Sequence, residues 1–245
     1  MSSTADPARR ARTGRWIDDW GPEDREFWAR TGRRVAWRNL WFSVLTEHVG
    51  FSIWTLFSVL VLFMDPAYGV DPAGKFLLVA VSTAAGSVLR LPYALAVALV
   101  GGRNWTIISA ALLLVPSVLA AVVMEPGTSY TTFLVVAALA GVGGGNFASS
   151  MTNINAFFPE HRKGTALGIN AGGGNVGVAV IQLVALLIIA TAGTGAPRLL
   201  LAVYIPLVVL ALTGAALCMD NITSVRHDTG ALAESCRQPQ NVLGK

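Results

Sequence analysis

The sequence predicts an all-α integral membrane protein with six transmembrane helices, on three observations. Hydrophobic residues fill 53% of 245 positions and charged residues only 13%, against about 25% charged in an ordinary globular domain. Mean hydropathy is +0.57. Six apolar stretches lie at about 40–64, 75–99, 104–124, 130–158, 165–192 and 198–219, each reaching the ~20 residues of a bilayer-spanning helix.

The leader, residues 1–39, holds nine of the 18 Lys and Arg: Arg9, Arg10, Arg12, Arg15, Arg25, Arg30, Arg33, Arg34 and Arg38. Such a cluster stays on the cytoplasmic side and meets anionic lipid. The net charge of +4 therefore points to the lipid bilayer as a partner, and no nucleic-acid partner is expected. Residues 1–21 read as disordered. A short amphipathic helix is expected from Pro22, with Glu23 and Asp24 in its first turn. Its Phe27 and Trp28, with Trp37, would lie at the lipid interface; a merely solvated leader is the alternative. The first apolar run begins too late and runs too long for a cleavable signal.

The connections between spans are short, at 65–74, 100–103, 125–129, 159–164 and 193–197. With the leader inside, the second and fourth connections and the stretch after the sixth span return to the cytoplasm carrying Arg103, Arg162, Lys163 and Arg226. Both termini are then cytoplasmic in a multi-pass plasma-membrane protein. Pro92, Pro116 and Pro206 fall inside spans, which membrane helices tolerate where neighbours satisfy the released carbonyls. Residues 220–245 are expected to be a polar, disordered cytoplasmic tail. Cys218 and Cys236 support neither a disulfide framework nor a metal cluster.

Arg90 is the sharpest candidate for chemistry. It lies ten residues before Val100, roughly 15 Å along a helix and so near mid-membrane. Its guanidinium keeps its proton, and such a charge needs a polar cavity or a counter-ion. The planar fork of donors suits a flat oxyanion. The competing reading is a structural pair with Glu47, the carboxylate well inside the first span. Glu47 and His48 are also candidates for proton coupling, with helix contacts as the alternative. Tyr93, one turn from Arg90, is a candidate for orienting substrate. Trp41, Trp54 and Trp105 read as interface anchors and lipid-facing bulk.

The stretch 141–182 combines glycines with Asn146, Asn153, Asn155, Asn170 and Asn175. Gly141 and Gly145, Gly168 and Gly172, and Gly173 and Gly177 are four apart, a spacing that lets membrane helices approach closely. Packing leaves the amides unexplained, and side-chain amides can donate to an oxyanion without adding charge. A phosphate-cradling loop fits poorly, because neither run continues into Gly-Lys-Ser/Thr. No nucleophile–base or metal-ligand constellation is visible, so no enzyme, metal or cofactor is expected.

GGGNFASSM at 143–151, then Phe157-Phe158-Pro159, Gly164, and GINAGGGNVG at 168–177 resemble the signature of the nitrate/nitrite porter (NarK-like) family of the major facilitator superfamily. LRLPY at 89–93 and GGRNW at 101–105 are similar to that family's second helix and following loop. The likeness covers about residues 20–220. It implies a six-helix N-terminal half, with Arg90 binding nitrate or nitrite. It also implies that Gly172, Gly173, Gly174, Asn175 and Gly177 line the pathway, and that Gly102 and Arg103 belong to a cytoplasmic gate loop. The family has twelve helices in two halves, with substrate between them at the midplane. The expected function is secondary transport of nitrate and/or nitrite together with a second six-helix half or a homodimer. The alternative is a truncated, non-transporting half or a dimerising membrane partner.

Overall fold

A computed structural model describes residues 15–223. The expectations for residues 1–14, for the tail beyond 223, and for Arg226 and Cys236 fall outside the described residues. The chain is a bundle of helices with one two-residue parallel strand pair, β1 (Trp16–Ile17) and β2 (Asn221–Ile222).

α1 (Arg25–Phe27) is capped by Asp24, whose carboxylate accepts from the amides of Glu26 and Phe27. The helix therefore starts three residues later than Pro22 suggested. A π-helical turn, Trp28–Gly32, feeds it directly into α2 (Arg33–Trp54). The helix that carries the first apolar stretch thus begins at Arg33. Trp20, Phe27, Trp28 and Trp37 stack edge-on against one another and against Phe157 and Phe158. Protein therefore receives the leader's aromatic rings, where a lipid interface was expected.

α2 breaks at Thr55 and resumes as α3 (Leu56–Leu60). α4 (Pro72–Val100) is capped by Asp71 with Pro72 at its first position, where the missing N–H is harmless. It stops at Gly101, whose φ of 92° favours glycine. α5 (Gly102–Val123) follows, then α6 (Tyr130–Ala140) and α7 (Val142–Phe157), a single expected span divided at Gly141. α8 (Glu160–Ala192) and α9 (Pro197–Cys218) complete the bundle.

Among the described residues, five helical stretches are long and apolar enough to cross a membrane: Pro72–Val100, Gly102–Val123, Tyr130–Phe157, Glu160–Ala192 and Pro197–Cys218. The sixth rod, α2 with α3, is more polar because it is central. It packs on α7, α8 and α9, and buries Asn39, Ser43, Thr46, Glu47 and Ser52. Neighbouring helices shield those groups from lipid, so the rod needs little apolar surface. Val88, Leu91, Leu95, Leu99, Leu183 and Leu187 point outward from α4 and α8.

Candidate functional site

Arg90 is half-buried on α4, beside α2 and α7. Its guanidinium carbon lies 5.2 Å from the ring centroids of both Trp54 and Phe147. Each such cation–π contact stabilises by about 0.5–2 kcal/mol. Phe51 completes the frame, stacked on Phe147 at 5.8 Å and tilted against Trp54 at 5.3 Å. The Arg90 Nε is buried and has no hydrogen-bond partner. Among the described residues Arg90 forms no ion pair at contact distance, and the competing reading, a structural pair with Glu47, reduces to a charge interaction over a longer range. Aromatic faces hold the cation in place.

The frame depends on small residues. The Trp54 indole donates to the Ser82 carbonyl at 3.1 Å, and the Ser82 hydroxyl donates back to the Trp54 carbonyl at 2.7 Å. A Cβ on Gly86 would overlap the Trp54 indole, and one on Gly144 would come within 2.9 Å of it. A Cβ on Gly143 would overlap the Gly50 carbonyl oxygen. Trp54 is thus clamped inside the bundle; the interface-anchor reading of this residue is corrected. Trp41 is exposed. Trp105 meets Tyr93 edge-on at 4.9 Å.

Tyr93 is 4% exposed. A Cβ on Gly145 would come within 2.7 Å of its ring, and its hydroxyl is buried without a partner.

Glu47 sits at a separate node where α2, α7 and α8 meet, with 0% exposure. Its Oε2 accepts from the Ser150 hydroxyl and, at 2.6 Å, from the Asn170 amide. The same amide donates to Ser150 at 2.8 Å. Glu47 Oε1 and Asn170 Oδ1 are buried and unpartnered. His48 places Nδ1 3.3 Å from the Gly173 carbonyl.

The glycine run of α8 divides by face. Gly173, Gly174 and Gly177 lie against Val44, Glu47 and the His48 carbonyl of α2. Added Cβ atoms would overlap Val44 and that carbonyl, and would come within 2.6 Å of the Glu47 side chain. These three act as helix-packing glycines. Gly172 has nothing within 4 Å of its Cβ position, and Asn175 is exposed, its amide donating to the Ala171 carbonyl at 2.8 Å. No described contact joins either residue to Arg90, whose neighbours come from α2 and α7.

At the expected gate loop, a Cβ on Gly102 would overlap the Asn153 amide. Asn221 Oδ1 accepts from the backbone amides of Arg103 at 2.9 Å and Asn104 at 3.3 Å. The Arg103 guanidinium donates to the Ala216 carbonyl at 2.7 Å. Asp220 pairs with Arg38 and accepts from the Asn39 amide at 3.0 Å. Residues 220–223 are therefore docked, where a disordered tail was expected from 220. Among the described residues no group of three His, Cys, Asp or Glu could hold a metal ion.

Sequence reasoning missed Phe51, Phe147, Ser150, Asp220 and Asn221. Phe147 was discoverable as the aromatic within GGGNFASSM, but its partner Arg90 lies on another helix.

A family model described as Major Facilitator Superfamily matches residues 40–233. The chain is 45% identical over 175 residues to the nitrate/nitrite transporter NarU of Escherichia coli strain K12. It is 43% identical over 175 residues to NarU of Salmonella typhimurium strain LT2. It is 36% identical over 173 residues to a Thermus thermophilus protein named "Probable nitrate/nitrite antiporter NarK2". These alignments cover 70–71% of this chain and 38% of each relative. The matched family, the apolar helices and the α-helical bundle agree: this chain belongs to the major facilitator superfamily.

Proposed function

We propose that this chain forms one six-helix half of a secondary transporter for nitrate and/or nitrite, with Arg90 as the anion clamp. The observation that carries the reading is a permanent cation on a membrane helix, framed by aromatic faces and in no ion-pair contact among the described residues. A flat monovalent oxyanion supplies the opposite charge and can accept two parallel hydrogen bonds from the guanidinium fork. Phe51, Trp54 and Phe147 hold the fork in place, and Tyr93 lies one turn further along α4. The names of the relatives support the choice of anion.

Gly172 and Asn175 form the open side of α8, which in this reading faces a second six-helix half. Gly102 and Arg103, tied down by Asn221 and Ala216, form the gate loop. With both termini cytoplasmic, this clasp lies on the inner side of the membrane. Two halves rocking about a site at the midplane would give alternating access.

The test is nitrate and nitrite uptake into proteoliposomes holding the chain alone or with a complementary C-terminal half. Uptake that requires both halves and vanishes in Arg90→Ala is expected. No uptake and no anion binding in either preparation would instead favour the non-transporting half.

A further inference from the structure

We propose that the cavity between α2 and the start of α8 binds the phosphodiester headgroup of an anionic phospholipid. The site is separate from Arg90 and does not depend on which anion is transported.

The cavity has a volume of about 270 Å³ and is lined by Trp37, Phe158, His161, Arg162, Thr165 and Ala166. Arg162 is exposed and in no ion pair among the described residues, its Nε lying 3.4 Å from His161 Nε2. The carboxylates at this end of α8 are committed elsewhere. Glu160 pairs with Lys163, and Glu23 accepts from the Glu160 amide at 2.8 Å. That second bond satisfies one of the free amides of the helix start, so side chains, not the helix terminus, define the site.

Trp37 supplies a further donor. Its indole N–H is buried and has no partner, and Phe158 holds its ring edge-on at 5.8 Å. An indole nitrogen can only donate, and a buried donor without an acceptor is costly. A phosphodiester answers each of these groups. It carries one negative charge, its two free oxygens fit the guanidinium fork, and they can also accept from the indole and the Thr165 hydroxyl.

The surroundings favour a lipid over a free anion. Trp41, one turn beyond Trp37, lies 6.1 Å from it between ring centroids and is 56% exposed. Arg33 and Arg34, one turn before Trp37, are also exposed. Residues three and four apart share a helix face. One face of α2 therefore runs from two cations, past the cavity, to an exposed indole. Tryptophan settles at the headgroup level of a bilayer, and arginines just outside it meet anionic lipid. A headgroup in the cavity would join α2 to α8 beside the turn that links α7 and α8.

The test is titration of the full chain in neutral detergent with phosphatidylglycerol, with phosphatidylcholine of the same acyl chains, or with inorganic phosphate, followed by melting temperature. Phosphatidylglycerol should raise the melting temperature saturably, as any ligand of the folded state does, and the other two should not. In Arg162→Gln the half-saturating lipid concentration should rise at least about tenfold, the order of a charge-assisted hydrogen bond. Trp37→Phe, which keeps the ring and loses the N–H, should raise it several-fold. Arg30→Ala, which removes a charge outside the cavity, should match wild type. Arg162 is exposed, so its variant should fold and keep the test decisive. Equal shifts with both lipids, a wild-type response in Arg162→Gln, or an equal loss in Arg30→Ala would overturn the site. A saturable shift with inorganic phosphate that abolishes the response to phosphatidylglycerol would overturn the lipid assignment in favour of free phosphate.

Discussion

Two stretches of this molecule share a composition and differ in surroundings. The glycines of α7 and of α8 both alternate with asparagines and serve close helix approach, yet α7 is enclosed on nearly every side. Gly143 and Gly144 meet α2, Trp54 and α4, and Gly145 meets Tyr93. On α8, Gly173, Gly174 and Gly177 press on α2, while Gly172 and Asn175 stand open on the opposite face. Glycine in membrane helices thus has two roles set by its direction. Toward a neighbour it permits contact, and toward open space it removes bulk from a surface that another body can use.

The largest effect that sharpens this contrast concerns the cation framed by α7. Arg90→Ala should weaken nitrate binding at least about tenfold, given the ~1.5–3 kcal/mol of a hydrogen bond to a charged group. Calorimetric titration in nanodiscs reads it, and unchanged affinity would remove Arg90 from the site. Next come the enclosed glycines. Gly143→Ala and Gly177→Ala each drive a methyl group into a backbone carbonyl, and overpacking of this kind costs about 1–3 kcal/mol. Both should lower the melting temperature in detergent; unchanged melting would mean that these helix contacts are loose.

Asn175→Ala should behave oppositely. Its described bond is to its own helix, so stability should hold. Nitrate transport by the paired halves should weaken several-fold, the size of one neutral hydrogen bond at about 0.5–1.5 kcal/mol. The smallest effect belongs to Gly172→Ala, which meets nothing. It should be neutral or stabilising by up to about 1 kcal/mol, the helix-propensity gain of alanine over glycine. Strong destabilisation at Gly172 would break the two-faced description of α8.

Arg90 was legible in the sequence because a lone arginine ten residues inside an apolar run has no local explanation. The six rods were legible for the same reason, since length and hydropathy are local properties. The starts of α1 and α2 were less so. The Asp24 cap and the π turn merge leader and first span, and capping by Asp24 rather than Pro22 turns on a few hydrogen bonds.

By itself, the sequence determined the class, the number of rods, and the presence of a cation and side-chain amides within apolar stretches, because burial in lipid selects composition residue by residue. Tertiary structure decided which groups meet. Arg90 lies on Trp54 and Phe147 rather than Glu47, Glu47 meets Asn170 from 123 residues away, and Asn221 clasps a loop 117–118 residues before it. The 3.6-residue period gives each side chain an angle about its own helix. Only the packing of the other five rods around the polar rod α2 determines what stands opposite that angle.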